Sequence, residues 1–381
     1  MRWPLVSLVA LAACTSSPGS SSSTTAPPRD AGTDATDDSG TADASAPDGA
    51  TPPPVTYTIP FDPATTLDTS FRLHVSVGGG PAHDVIMDTG STGLVVPASA
   101  LGPGAQITTD PFSLEYTSSG IIEGGHWATA AVRLGVPANY VVGSPGNYAT
   151  TVPLRFGVVE TVTCDPAFPA CTTNGDVEGV GVMGVGFDRG LPEYPMTINP
   201  FLQVAEIAAG TMHAGYVVSQ HPPQVIVGLD AAVQSGFQAL PLAPKSGYPG
   251  EWDSTSVEGC VTLPALPSWG TQCGRPLIDT GIAGGILTTP AAMRPTQLAT
   301  KSPGQLDLGV EVDITVPAAP AVATYSFVIG AGDPSTPDYV YLRDSTDGTL
   351  HINTSRHLLA AYDYLFDARD GAIGFRPAAG P

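Results

Sequence analysis

Polar and apolar positions alternate with a period of two along much of the chain after residue 56. Phe71-Arg72-Leu73-His74-Val75-Ser76-Val77 is the clearest case. That period puts every second side chain on one face of a strand. Asp84-Val85-Ile86-Met87 is a short apolar run ending at Asp88. Residues 112–116 and 120–134 predict a long hairpin with Thr117-Ser118-Ser119-Gly120 at its tip. Val217-Val218 and Val225-Ile226-Val227 predict strands flanking a Pro222-Pro223 turn, and residues 364–375 predict a closing hairpin. No long amphipathic helical pattern competes. Residues 200–209 form the best short helix, with Asn199 as its N-cap. Many short strands joined by turns rich in the 44 Gly and 39 Pro point to an all-β fold.

The pattern is absent from the first 54 residues. Residues 1–14 read as a targeting segment: Arg2, a short apolar run, then Leu11-Ala12-Ala13-Cys14. Small residues directly before a Cys resemble a bacterial lipobox, in which the signal is cut before Cys14 and its thiol is lipidated. That predicts a lipid-anchored envelope protein, with Thr15 permitting passage to the outer membrane. Residues 15–54 hold almost no large apolar side chains and read as a flexible tether. Their single cation, Arg29, set against six Asp argues against a basic self-inhibitory propeptide. The remaining 327 residues are enough for two lobes, expected at 55–228 and 229–381.

Net charge is −21, with no basic cluster, which speaks against nucleic acid as a partner. Setting Cys14 aside leaves Cys164, Cys171, Cys260 and Cys273. In an exported chain four cysteines predict two disulfides, and the near pairs are the simplest of three connectivities. No Cys or His stands at metal-ligand spacing, so neither metal nor cofactor is expected.

One internal repeat carries chemistry. Val85-Ile86-Met87-Asp88-Thr89-Gly90 recurs as Pro276-Leu277-Ile278-Asp279-Thr280-Gly281. A lone Asp-Thr-Gly is a turn. Two copies, each at the end of an apolar strand and one lobe apart, are different. An Asp there is costly unless hydrogen-bonded or functional. A serine hydrolase reading fails, because Gly90-Ser91-Thr92-Gly93 lacks nucleophile-elbow spacing.

These loops, with Ser91-Thr92-Gly93-Leu94-Val95-Val96-Pro97 after the first, resemble the active-site loops of pepsin-like aspartic proteases. Tyr116 falls where that family carries its flap tyrosine. Gly181-Val182-Met183-Gly184-Val185-Gly186-Phe187 resembles the segment behind the first loop, and Val227-Gly228-Leu229-Asp230 the strand between lobes. Residues 364–367 and 373–375 resemble the closing strands. The resemblance implies a two-lobed all-β fold with a central cleft. It implies Asp88 and Asp279 as catalytic carboxylates, supported by Thr89, Gly90, Ser91, Thr280 and Gly281. Two carboxylates about 3 Å apart share one proton, and their ionised member activates a water. The substrate would be an extended peptide held under the flap by main-chain hydrogen bonds, and the chain a monomer.

This sequence departs from the family at four places. Ile282 stands where a Thr or Ser follows the second loop, and Val95 where a Trp follows the first. Ser355 stands where a Gly follows two apolar residues, and those two are Asn353 and Thr354. The departures define the alternative: an inactive relative binding peptide, protein or glycan through the same cleft. Trp127 is expected to pack, and Asp367 to serve a turn.

Overall fold

The computed structural model describes residues 56–168, 171–301, 304–317 and 319–379. The lipobox-like segment with Cys14 and the Ser/Thr/Pro/Asp-rich stretch to residue 54 lie outside them. The described chain has the all-β, two-lobed architecture expected from the sequence. A nine-stranded sheet is drawn from strands between Arg72 and Val185, and a seven-stranded sheet from strands between Gly259 and Asn353. A six-stranded sheet joins them, taking Tyr57–Pro60, His213–Gln220 and Pro223–Leu229 from before residue 230 and Gln238–Pro241, Tyr362–Asp367 and Ala372–Pro377 from after it.

Alternation does what it predicts. In Glu311–Val316 the side chains of Val312, Ile314 and Val316 face inward, and its partner Ala323–Val328 turns Ala323, Tyr325 and Phe327 to the same core. Thr92–Pro97 is buried at every position because it lies inside the nine-stranded sheet, between Val182–Val185 and Leu154–Cys164. The six-stranded sheet is pressed beneath the first Asp-Thr-Gly region. Phe366 stacks on Phe187 with centroids 4.5 Å apart, and the Tyr216 hydroxyl donates to the Val185 carbonyl at 2.7 Å. Each fully buried aromatic stabilises by roughly 1.5–3 kcal/mol. These contacts tie the six-stranded sheet to the segment Val185–Phe187 behind the first loop.

Two expectations need correction. Residues 200–209 are not a helix. Only Ala205–Ala208 is helical, and Val204 precedes it without a side-chain cap. Val204 instead bridges Thr151, and the Val152 amide donates to the Gln203 carbonyl at 2.8 Å. Sheet-edge bonding therefore takes the backbone a helix would need. Asn199 is fully buried and does not cap that helix; it closes the 3-10 turn Met196–Ile198 instead. Its Nδ2 donates to the Val185 carbonyl at 2.6 Å, behind the first loop. The long hairpin also differs. Its arms are Gln106–Tyr116 and Ile121–Ala130, and Val132–Leu134 leaves to pair with Arg72–Val77.

The disulfides are Cys164–Cys171 and Cys260–Cys273. Trp127 packs edge-on against Phe112 in a small buried cluster. Asp367 accepts the Asp370 amide of the closing turn and also faces His213 at 2.8 Å.

Candidate active site

Each Asp-Thr-Gly loop ends a strand that a third segment backs. Ala82–Asp88 runs parallel to Val182–Val185, which also pairs antiparallel with Thr92–Pro97. In the second half Thr271–Leu277 runs parallel to His351–Asn353, which pairs antiparallel with Gly285–Thr289. The same three-segment device is built twice.

The two loops meet. The Thr89 amide donates to Thr280 Oγ1 at 2.9 Å, and the Thr280 amide donates to Thr89 Oγ1 at 3.1 Å. Each hydroxyl then donates to the strand before the opposite loop: Thr89 Oγ1 to the Ile278 carbonyl at 2.6 Å, Thr280 Oγ1 to the Met87 carbonyl at 2.8 Å. All of these atoms are buried, so every polar group in the cross-brace is satisfied where an orphan would cost about 1–3 kcal/mol.

The brace sets the carboxylates face to face. A Cβ on Gly90 would lie 2.6 Å from Asp279 Cγ, and one on Gly281 would lie 2.5 Å from Asp88 Oδ1. Only glycine permits this approach at both places. Asp88 and Asp279 are 7% and 6% exposed, on the floor of a cleft of about 1210 Å³.

The hydrogen bonds of the pair differ. Asp88 accepts the Gly90 amide on Oδ1 and the Ser91 hydroxyl on Oδ2, both at 2.6 Å. Asp279 accepts the Gly281 amide on Oδ1 at 2.9 Å, and on Oδ2 the side chain of Asn353, whose Nδ2 donates at 2.6 Å. Asn353 Oδ1 accepts the Ser355 amide at 2.9 Å, which fixes the amide with its nitrogen toward Asp279. Burial first, and the Asp88 charge second, push Asp279 up to about 7, against the pull of the Asn353 and Gly281 donors.

Arg356 holds the second loop from behind. It is 4% exposed, and its guanidinium donates to the carbonyls of Ile282 at 3.1 Å and Gly281 at 3.2 Å, and to that of Thr69 in the other half.

Tyr116 and the hairpin tip line the cleft. The Tyr116 hydroxyl donates to Glu123 Oε2 on the facing arm at 2.9 Å. Glu123 is 5% exposed, and burial raises it to about 7, opposed by that hydrogen bond. Arg343, from the strand Val340–Asp344, donates to the carbonyls of Thr117 and Ser118 and so ties the hairpin tip across the cleft.

Asn353, Arg356, Glu123 and Arg343 were not read as site residues from the sequence. Asn353 left one signal, a polar residue where the family has an apolar one. The others sit on segments that only folding brings to the cleft. Asp62, His74 and Asp84 also gather on the surface, but Asp84 is already paired with Arg72.

No family model matches the chain, and no curated protein matches it. Among solved structures it is similar to the crystal structure of an aspartic proteinase from Irpex lacteus, at 14% identity and a TM-score of 0.49. That likeness covers 85% of this chain and 98% of the other.

Proposed function

We propose that the chain is a pepsin-like aspartic endopeptidase that hydrolyses peptide bonds with a water held between Asp88 and Asp279. The observation that carries this reading is the pair itself: two buried carboxyl groups face to face across a symmetric threonine brace, on the floor of a long covered cleft. Two such groups share one proton. With Asp279 raised, the proton resides there at acid pH. Asp88 takes a proton from the water as it attacks the scissile carbonyl. Asp279 donates a hydrogen bond to the carbonyl oxygen, and the pair returns a proton to the leaving amine. Rate should fall as pH rises through about 7, where Asp279 gives up its proton. An extended peptide would lie in the cleft beneath the hairpin.

The test is cleavage of an unfolded protein from pH 2.5 to 7.5, with and without pepstatin. Acid-favoured cleavage that pepstatin blocks supports the reading. A folded chain that cuts nothing anywhere in that range is instead a binding module that uses the same cleft. We also propose that Cys14 anchors the protein to the cell envelope. Cys14→Ser should then move it to the soluble fraction.

A further inference from the structure

The cations that line the cleft are almost all committed. Lys245 Nζ sits 2.8 Å from Asp188 and 3.3 Å from Asp253. Arg275 pairs with Asp347 at 3.4 Å, and Arg343 is spent on the hairpin tip. Arg189 is the exception. Among the described residues it has no hydrogen-bond or ion-pair partner, and its Nε is buried without an acceptor. The neighbouring Asp188 does not serve it. That residue is held at φ 56, and one carboxylate oxygen accepts Lys245 Nζ together with the Ser254 amide at 3.0 Å and hydroxyl at 2.7 Å. A left-handed Asp locked by three donors is a strained, fixed base for the residue that follows.

Arg189 lines both the cleft and a small space of about 20 Å³ that Thr89 also lines. Burial works against its charge, and the nearby carboxyls of Asp188, Asp279 and Asp88 work for it. Its buried Nε has lost a hydrogen bond to water that no protein acceptor replaces. A carboxylate supplies what is missing, because two oxygens match the planar fork of donors.

We propose that Arg189 is a specificity residue, and that the cleft takes extended peptides carrying an Asp or Glu side chain near the scissile bond, bound carboxylate to guanidinium. This rests on the endopeptidase reading for the substrate class, and on the unpaired guanidinium for the charge. The overall charge of −21 repels such peptides at long range, so the preference is a contact effect, expected to survive moderate salt.

The experiment separates the two readings. A library of extended peptides, each position in turn Glu or Gln, is bound at pH 5 to the full chain carrying Asp88→Asn, and cut by the unaltered chain. The expected result is about tenfold tighter binding for Glu over Gln at one position. That preference should be lost in Arg189→Gln and partly kept in Arg189→Lys. Equal binding of Glu and Gln peptides, no binding of either, or a uniform weakening of both by Arg189→Gln overturns the proposal. Selective binding without cleavage by the unaltered chain overturns the endopeptidase reading and leaves Arg189 as the carboxylate site of a binding module.

Discussion

The two Asp-Thr-Gly loops solve one problem with their parts exchanged. Val182 pairs with Ile86 and Val95 in the first half, and Asn353 pairs with Leu277 and Ile286 in the second. Both sets of partners are offset by 191 residues, the separation of Thr89 and Thr280, so Val182 and Asn353 hold the same place. The same offset matches Ser91 to Ile282. In the first half the donor to the Asp stands on the loop and an apolar side chain stands behind it. In the second half the apolar side chain stands on the loop and the donor stands behind. Each Asp therefore keeps one backbone and one side-chain donor. Ile282 is thus no evidence of lost chemistry, since what matters to a carboxylate is the number of donors, not the segment that brings them.

The strongest way to break this equivalence is to remove either carboxylate. Asp88→Asn and Asp279→Asn should each lower kcat by about 10³-fold or more, since each removes a general acid–base partner. A loss confined to one of them would show that the halves are not chemically equivalent. Next comes Arg356, which ties the second loop to Thr69 in the other half. Arg356→Ala leaves the Gly281, Ile282 and Thr69 carbonyls without their side-chain donor. It should cost about 3 kcal/mol in denaturant unfolding. A cost under about 1 kcal/mol would mean the second loop stands without it.

The halves also differ in how they cover the cleft. The first supplies the hairpin with its buried Glu123, and the second supplies the Arg343 latch. Glu123 has a folded pKa of about 7 against an ordinary 4.5. Between those values the folded chain holds a proton the unfolded chain has lost, so stability is greatest in acid and falls as pH rises toward 7. Glu123→Gln should flatten that slope and stabilise the chain at pH 8 by up to roughly 3 kcal/mol. Asp279 still contributes a fall of the same sign. Melting temperature against pH reads both, and an unchanged slope in Glu123→Gln would place the whole effect on the Asp pair.

How much of this was legible follows from the same comparison. The strands and both loops were readable because alternation and the Asp-Thr-Gly repeat are local. The backing segment was readable in the first half, where Val182-Met183-Gly184 keeps the apolar–apolar–Gly pattern. It was hidden in the second, where Asn353-Thr354-Ser355 breaks it. A fixed offset does not rescue it: Gly186 lies 94 residues after Thr92, but Asn353 only 74 after Asp279. Residues 200–209 misled because helix propensity is local and the Thr151 bridge is not. Arg343 stands on a strand and Arg356 opens a short 3-10 helix, and both are indistinguishable in sequence from surface residues. Only the fold makes them neighbours of Gly281 and Thr117.

The exchange of donors makes a smaller, sharper prediction. Asn353→Ala removes one donor from Asp279 and should move the basic limb of the rate profile up by roughly one pH unit. Adding Ile282→Thr to Asn353→Ala restores a hydroxyl where the first half has Ser91, and should bring the basic limb back. If the double variant behaves like Asn353→Ala alone, the hydroxyl cannot reach Asp279, and the two places are not interchangeable.

The smallest expected effect concerns backbone strain. Two residues past Val182 the first half has Gly184, and two past Asn353 the second half has Ser355, held at φ 59 and ψ −173. A side chain in that region costs about 1–3 kcal/mol, and glycine does not bear the cost. Ser355→Gly removes the strain but loosens the unfolded chain by up to about 1 kcal/mol. It also gives up a weak bond, since Ser355 Oγ accepts the His357 amide at 3.4 Å. The net expectation is a gain of about 1 kcal/mol, or about 2 °C in melting temperature. The Asn353 bond survives because it uses the Ser355 amide, so the rate profile should not move. A more stable variant with an unmoved profile would separate the strain at Ser355 from the chemistry at Asp279. A profile that shifts together with stability would mean that the strained backbone is what aims Asn353 at the carboxylate.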